Sequence, residues 1–226
     1  MVPSTLEHMT NERPYVQEMV MIHRVFRRES KMMPELFRRV RAGDVARAEL
    51  MAEHYHAYAD GLHGHHTNED ELLWPKLLAR VTLEADLVKR MEHQHEYIAD
   101  TMHRVGELLP GFARTADPVV RDRIADLLTD HHHALVEHLG EEEVHILPLV
   151  SAHITVAEWN ELGERGRKEA SGASMKQQLI VLGAILEDAT PEERAHFMGH
   201  LPLPAKVVWN LAGKRLYAKR SALVRA

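Results

Sequence analysis

The feature that most constrains the fold is a pattern that occurs twice, 73 residues apart. In each copy a histidine precedes a glutamate by four residues, a second acidic residue follows the glutamate, and a proline stands six residues after it. The copies are His65, Glu69 and Pro75, and His138, Glu142 and Pro148. A spacing of four residues places the histidine and the glutamate on one helical face, about one turn apart. The repeat therefore predicts two helices that present the same pair of side chains.

A single histidine occupies the segment before each copy. His23 and His95 are 72 residues apart, and each has an apolar residue three places further on. The chain thus repeats a helix with one histidine followed by a helix with His-x-x-x-Glu. The expected helices span residues 14–40, 45–78, 83–110 and 118–150, with a kink at Pro34, N-caps at Asp44, Thr82 and Asp117, and a stop at Pro110-Gly111. Short connections between long helices predict an all-α fold, an up-down-up-down four-helix bundle over residues 13–152.

Residues 155–226 form a different segment, predicted as a helical C-terminal extension. Shorter helices are expected over 157–169 and 175–187 and after a cap at Thr190, and the sequence LPLP at 201–204 breaks the chain before a last helix. That helix has six basic residues and no acidic one: Lys206, Lys214, Arg215, Lys219, Arg220 and Arg225. It is either a charged patch for a membrane surface, an acidic partner or another subunit, or the solvated face of a helix packed on the bundle. The second interpretation is favoured, with Val207, Val208, Leu211, Leu216 and Tyr217 as the packing residues.

Composition excludes several classes of function. The chain has no cysteine, so disulfides, thiolate zinc sites and iron–sulfur clusters are ruled out. A net charge of −6 gives no reason to expect nucleic acid as a partner. No apolar run is long enough for a transmembrane helix, and the first residues carry acids and lack the apolar run of a secretory signal. We therefore expect a soluble, cytoplasmic protein.

The eighteen histidines indicate metal chemistry, but spacing alone does not choose the ligands. Five His-x-x-x-Glu pairs occur: His8/Glu12, His65/Glu69, His103/Glu107, His133/Glu137 and His138/Glu142. The repeat selects the second and the fifth. Folding the two halves together brings four histidines and two glutamates inside the bundle, where unpartnered carboxylates are costly and a multivalent cation compensates them. Imidazole and carboxylate without thiolate suit iron, manganese or zinc, and a pair of sites with bridging acids favours iron or manganese.

With this pattern, residues 13–152 resemble the hemerythrin-like, or HHE cation-binding, family, whose bundle holds a non-haem di-iron centre. The resemblance implies two iron ions with an oxo or hydroxo bridge, manganese or zinc being less expected. Its metal ligands fall on His23, His65, Glu69, His95, His138 and Glu142, with Glu69 and Glu142 as bridges.

One departure from the family concerns the third long helix. Oxygen-carrying members have a second histidine there, four residues from the first, whereas His95 has Met91 four residues before it and Ala99 four after. Six protein ligands instead of seven leave more positions for a small molecule. Tyr58, two turns before His65, is a candidate seventh ligand. His66 has ligand spacing to Asp70, but the repeat selects His65, so His66 is expected at the periphery or as a replacement for His65.

The ligand-poor site favours oxidant chemistry over reversible oxygen carriage. The first hypothesis is a di-iron protein that binds dioxygen, nitric oxide or peroxide for scavenging, detoxification or storage. The second is a true enzyme, which decomposes peroxide as catalases or peroxidases do, or consumes nitric oxide. The third is an iron, oxygen or redox sensor that signals through residues 155–226. Sequence alone does not rank the first two.

Overall fold

This computed structural model of the protein describes residues 13–82 and 85–226, and every regular element in those ranges is a helix. Four long helices come first: α1 (Gln17–Arg38), α2 (Val45–Leu72), α4 (Ala85–Thr115) and α5 (Pro118–Glu141), with the short α3 (Trp74–Leu78) after α2. A π-helical turn (Glu142–Ile146) and α6 (Leu147–His153) continue α5. The extension contains α7 (Val156–Ser171), α8 (Met175–Glu187), α9 (Pro191–Gly199), α10 (Leu203–Val208), a second π turn (Trp209–Gly213) and α11 (Lys214–Arg225).

Side-chain caps begin several of these helices. Asp44 accepts a hydrogen bond from the backbone N–H of Arg47, and Asp117 accepts from two backbone N–H groups at the start of α5, so both predicted caps are confirmed. Thr190 begins α9 as predicted, in a reciprocal capping box with Glu193. The predicted cap at Thr82 adjoins residues 83 and 84, which lie outside the described residues.

The predicted stop at Pro110-Gly111 is wrong, because α4 continues to Thr115. Proline removes one backbone hydrogen bond from a helix interior, but Pro110 lies on the exposed side of α4, where water can solvate the freed carbonyl. Phe112, two residues further on, is fully buried with its ring 5.6 Å from that of Phe37. This packing holds the last turn of α4, and the chain leaves the helix at Ala116, with a φ of 47°.

The four long helices pack in a ring, α1 against α5, α5 against α4, α4 against α2, and α2 against α1. Two separate apolar clusters fill it. The Phe37 cluster includes Phe26, Phe37, Leu62, Ile98, Phe112 and Leu135. The Trp74 cluster includes Met19, Leu73, Trp74, Met91, Ile146 and Trp159. In chain order, α1 and α4 pass from the Trp74 cluster to the Phe37 cluster, and the segments of α2 and α5 pass the other way.

Both copies of the repeat lose regular α-helical geometry shortly after their glutamate. In the first, α2 ends at Leu72 and α3 restarts with Pro75 in its first turn. In the second, the π turn lets Leu147 donate to the carbonyl of Glu142, five residues back, just before Pro148. A proline cannot donate to the carbonyl four residues earlier and its ring clashes with it. The matched prolines thus account for both irregularities.

The extension packs along α1 and α2. Helix α7 contacts α2, α8 and α9 contact α1, and α11 contacts both α8 and α2. Arg47 donates to the carbonyls of Leu223 and Val224 at the end of α11, and Val224 belongs to the Phe37 cluster. The predicted packing face of the last helix is wrong in part, because Val207 and Leu211 are exposed by 54% and 73%. Trp209 and Val224 are buried instead.

Some of the basic residues of this last helix are paired within the chain. Arg225 pairs with Glu187, and Arg220 lies 3.6 Å from a carboxylate oxygen of Glu53. Throughout the described part of the chain, each helix is too short or too polar to cross a membrane.

Candidate metal centre

Seven side chains of metal-ligand type converge between the Phe37 and Trp74 clusters. They are His23 on α1; His65, His66 and Glu69 on α2; His95 on α4; His138 on α5; and Glu142 at the start of the π turn. Their exposure ranges from 0% for both glutamates to 11% for the side chain of His65. The structure brings together all six residues selected by the repeat, and His66 joins them.

The donor atoms form two groups that share one glutamate. One group contains His66, Glu69, His95 and His138, and the other contains His23, His65, Glu69 and Glu142. Within each group the donor atoms lie within 4.8 Å of one another, which is the span of atoms around a single ion. Glu69 belongs to both groups, so its carboxylate lies between two ion-sized positions.

In the second group, each glutamate has a carboxylate oxygen close to an imidazole nitrogen. The Nε2 atom of His23 lies 3.3 Å from Oε2 of Glu142, and Nε2 of His65 lies 3.4 Å from Oε1 of Glu69. The other oxygen of Glu69 lies 3.6 Å from Nε2 of His95, in the first group. Glu142 also faces both groups, because its Oε2 atom is 3.8 Å from Nε2 of His138.

Three histidines are oriented by hydrogen bonds from their outer nitrogens. Nδ1 of His23 lies 2.9 Å from a carboxylate oxygen of Glu143, and Nδ1 of His95 lies 2.7 Å from one of Asp70. These acceptors require a proton on Nδ1, which leaves Nε2 as a lone pair directed into the cluster. Asp70 is held in turn by the indole N–H of Trp74, at 2.9 Å.

His138 has the same arrangement with an amide in place of the carboxylate. Its Nδ1 atom lies 3.0 Å from Oε1 of Gln94, and its Nε2 atom lies 3.1 Å from Nε2 of His95. With protons on both Nδ1 atoms, the two Nε2 atoms meet lone pair to lone pair. A cation that accepts both lone pairs removes this repulsion, so the pair fits a metal ion.

Buried polar atoms without a protein partner are concentrated at this cluster. They include Nε2 of His23, His65 and His66 and both carboxylate oxygens of Glu69 and of Glu142. Leaving such atoms unsatisfied in the interior is unfavourable by about 1–3 kcal/mol each. Every one of them is a donor of the two groups, so the residues present fit a pair of metal ions.

Burial also sets the protonation of the cluster. It raises the pKa of Glu69 well above its ordinary value, and the charge of Glu142 adds to that shift. Burial, followed by the neighbouring imidazoles, lowers the pKa values of His65, His66 and His138 well below the ordinary value. These histidines are therefore neutral near pH 7, which is the form of imidazole that binds metals.

His66 is the member of the cluster that the sequence analysis placed at the periphery. It is 5% exposed, and its ring is stacked on that of His95, with centroids 3.9 Å apart and planes 10° apart. The position matching His66 in the second copy is Leu139, so the two copies differ there. The additional histidine in the first copy could have indicated His66 as a ligand, but the prediction used only the residues that both copies share.

Tyr58, the candidate seventh ligand, points its hydroxyl at another residue. That oxygen lies 2.7 Å from Nε2 of His131, whose Nδ1 lies 2.8 Å from the hydroxyl of Thr101. Thr101 donates to the carbonyl of Ile98, so it accepts from Nδ1 of His131, and Tyr58 donates to Nε2. The three side chains form a buried and fully satisfied hydrogen-bonded chain.

The remaining His-x-x-x-Glu pairs lie elsewhere. His103 and Glu107 are exposed and 3.6 Å apart, and His133 and Glu137 line a surface groove between α4 and α5. His8/Glu12 lies outside the described residues. His145 is exposed, so it is remote from the buried donors despite its seven-residue spacing from His138.

Comparison with known proteins gives one match. The family model of the hemerythrin HHE cation binding domain matches residues 15–150, which include all seven donors. Searches of curated proteins and of solved structures each returned no match.

Proposed function

Because the chain belongs to the hemerythrin HHE cation-binding family, we propose that it is a di-iron protein that binds a small oxidant. The proposed ligands are dioxygen, nitric oxide and peroxide, and the proposed roles are scavenging, detoxification or storage. The observation that carries the proposal is the set of inward-facing nitrogen and carboxylate atoms of seven side chains. Those of His23, His65, His66, Glu69 and Glu142 have no protein hydrogen-bond partner. A soluble bundle of this size gains nothing from such a cluster unless cations bind there.

The proposed ligands are His23, His65, Glu69, His95, His138 and Glu142, together with His66. Glu69 and Glu142 would be shared by the two ions, since each carboxylate faces imidazoles of both groups. Bridging carboxylates with imidazoles on a helical bundle favour iron or manganese over zinc. The order in which the helices pass between the two apolar clusters supports the up-down-up-down bundle that supplies these ligands from four helices.

When bound, the iron pair supplies reversible electron transfer and Lewis acidity toward a small ligand. The protein's part is to hold the donors fixed and to select by size. Asp70, Glu143 and Gln94 keep three imidazoles aimed inward. Because the donors are between 0% and 11% exposed, only a molecule of a few atoms fits among them.

A surface groove between α4 and α5 reaches one residue that contacts the centre. It has a volume of about 480 Å³, and its lining includes Gln94, whose amide oxygen contacts His138. Polar side chains, among them Arg90 and Asp130, line this groove. With His66 the set counts seven protein ligands, so the six-ligand argument against reversible oxygen carriage no longer applies, and the buried, unpartnered donors support the binding of a small oxidant.

The test uses protein purified without a histidine tag and loaded with iron. Visible absorption is recorded before and after addition of dioxygen, nitric oxide or hydrogen peroxide. The proposal expects a spectral change with at least one of them in wild type and in His103→Ala, whose exposed His-x-x-x-Glu pair is a matched control. The change is expected to disappear in His65→Ala. An iron-loaded wild type that responds to none of the three contradicts the proposal.

Contacts between the extension and residues adjacent to the proposed ligands support the sensor hypothesis. Asn68, next to Glu69, donates to Glu169 of α7 at 3.0 Å. Arg24, next to His23, donates twice to Glu193 of α9, at 2.6 and 2.7 Å. A change in helix position at the centre therefore reaches both contacts. Equal protease cleavage of residues 155–226 in metal-free and oxidised protein excludes this function, whereas faster cleavage in one state supports it.

A further inference from the structure

A second cluster of metal-ligand side chains lies where the extension meets the start of α1. It consists of Glu18 on the first turn of α1, His196 on α9, and His200 directly after α9. One donor atom from each residue lies within 4.8 Å of the other two. None of the three belongs to the buried centre, and Glu18 precedes His23 by about 7.5 Å along the axis of α1.

The two histidines are arranged as a chelating pair. They are separated by four residues, with ring centroids 4.6 Å apart and planes at 62°. Nδ1 of His200 lies 3.0 Å from the carbonyl oxygen of His196, so the ring N–H donates there and Nε2 keeps a free lone pair. A backbone carbonyl on the outer nitrogen is a usual way to orient a metal-binding histidine.

Glu18 completes the set from the bundle side. Its Oε1 atom lies 3.3 Å from Nε2 of His196, and the two side chains are 31% and 33% exposed. The ring of Tyr15 covers the other side of His196, with centroids 3.9 Å apart. Glu18 and His196 are therefore partly shielded, and His200 is exposed, so an ion can exchange at the cluster.

Contacts away from the cluster fix the spacing of the two helices that carry it. The buried carboxylate of Glu193 accepts two hydrogen bonds from Arg24 and one from Gln17, at 2.9 Å. These bonds seat the first turn of α9 on α1. The donors are thus held near each other before any ion binds, which lowers the entropic cost of binding.

We propose that Glu18, His196 and His200 bind one zinc-class divalent ion, which clamps α9 onto the first turn of α1. Two imidazoles and one carboxylate are an established protein ligand set for Zn²⁺, with water in the fourth position. The ion joins the extension to the helix that also carries His23. This site and the buried centre share no ligand.

Zinc titration of the full-length, iron-loaded protein tests the site. Calorimetry is expected to show one equivalent of Zn²⁺ in wild type, and Co²⁺ is expected to give visible absorption of a low-coordinate site. His200→Ala and Glu18→Gln are expected to weaken this binding by at least about tenfold, since loss even of an outer partner has that effect. His103→Ala removes an exposed histidine of a two-residue pair and leaves the equivalent unchanged.

The difference in Zn²⁺ affinity between wild type and His200→Ala does not depend on what fills the buried centre, so this result is independent of the proposed oxidant function. An equal stoichiometry and affinity in wild type, His200→Ala and Glu18→Gln overturns the site. Equal weakening in His103→Ala shows adventitious surface binding and overturns it too. For the clamp, Zn²⁺ is expected to slow protease cleavage of α9 in wild type and not in His200→Ala. Binding of Zn²⁺ that leaves the cleavage rate unchanged overturns the clamping role.

Discussion

Replacing Glu69 by methionine is expected to change stability in opposite directions with and without metal. In the metal-free protein Glu69 is fully buried, neither of its oxygens has a hydrogen-bond partner, and Glu142 is nearby. Its pKa is raised for that reason, so folding places the carboxyl group in an environment worse than water. Methionine is similar in length and flexible, and it fills the space without a polar atom.

The expected magnitude follows from the loss of that unsatisfied group. Removing the unsatisfied carboxyl group is expected to raise the free energy of unfolding by about 1–3 kcal/mol. This is in line with the gain in stability found when buried charges are replaced by apolar side chains. A chain of this size shifts its Tm by about 2–4 °C for each kcal/mol. Metal-free Glu69→Met is therefore expected to melt about 2–12 °C above metal-free wild type. In iron-loaded samples the order reverses, because the variant lacks the shared ligand and loses the stabilisation that bound metal provides.

The assay is thermal unfolding followed by circular dichroism, on chelator-treated and on iron-loaded samples. Glu107→Met is the matched control, since Glu107 belongs to an exposed His-x-x-x-Glu pair and its replacement is expected to change stability by no more than about 0.5 kcal/mol. A metal-free Glu69→Met that melts below metal-free wild type refutes the reasoning. That result would mean that Glu69 makes a stabilising contact of its own.

Three further predictions concern residues outside the centre. Tyr58→Phe leaves Nε2 of His131 without its hydrogen-bond donor. In urea unfolding this is expected to lower the free energy of unfolding by about 1–3 kcal/mol, while the visible spectrum of the iron-loaded protein stays unchanged. An altered spectrum instead supports Tyr58 as a ligand. Burial lowers the pKa of His131 to about 4 from 6.5. As pH falls, the unfolded chain therefore takes up this proton before the folded protein does. The free energy of unfolding of wild type is expected to fall by roughly 3 kcal/mol relative to that of His131→Gln between pH 6.5 and pH 4. Parallel curves of unfolding free energy against pH for the two proteins contradict this. In Gly183→Ala the new methyl group collides with the ring of Tyr217, so the Tm is expected to fall, whereas Gly106→Ala, with open space on α4, is expected to leave it equal or higher; equal Tm values for both alanine variants show that α8 and α11 do not pack this closely.

Much of the helical content was predictable because it depends on local chemistry. Asp44, Asp117 and Thr190 cap helices through contacts within three residues, and such contacts are visible in the sequence. The end of α4 was not predictable in this way. Pro110 is a local stop signal, but the burial of Phe112 against Phe37 is a contact between distant parts of the chain, and it decides where the helix ends.

The residues of the candidate centre also differ in whether a local sequence pattern identifies them. A periodic pattern identified His65 and Glu69 and their partners in the second copy, because residues four apart share a helical face. His66 is 100° further round the helix, and it stacks on His95 of α4, a contact between distant parts of the chain that the pattern does not contain. His196 and His200 have the four-residue spacing of a chelating pair, but Glu18 lies on α1, near the other end of the chain, so local patterns do not identify the whole cluster.

The central claim is that one buried centre holds two metal ions that share Glu69. Metal analysis of untagged protein, combined with Mössbauer spectroscopy of iron-loaded samples, tests it most directly. The expected result is two irons per chain in wild type and in His103→Ala, magnetically coupled to each other, with the coupling lost in Glu69→Met. One iron per chain, or two uncoupled irons that persist in Glu69→Met, would contradict the account.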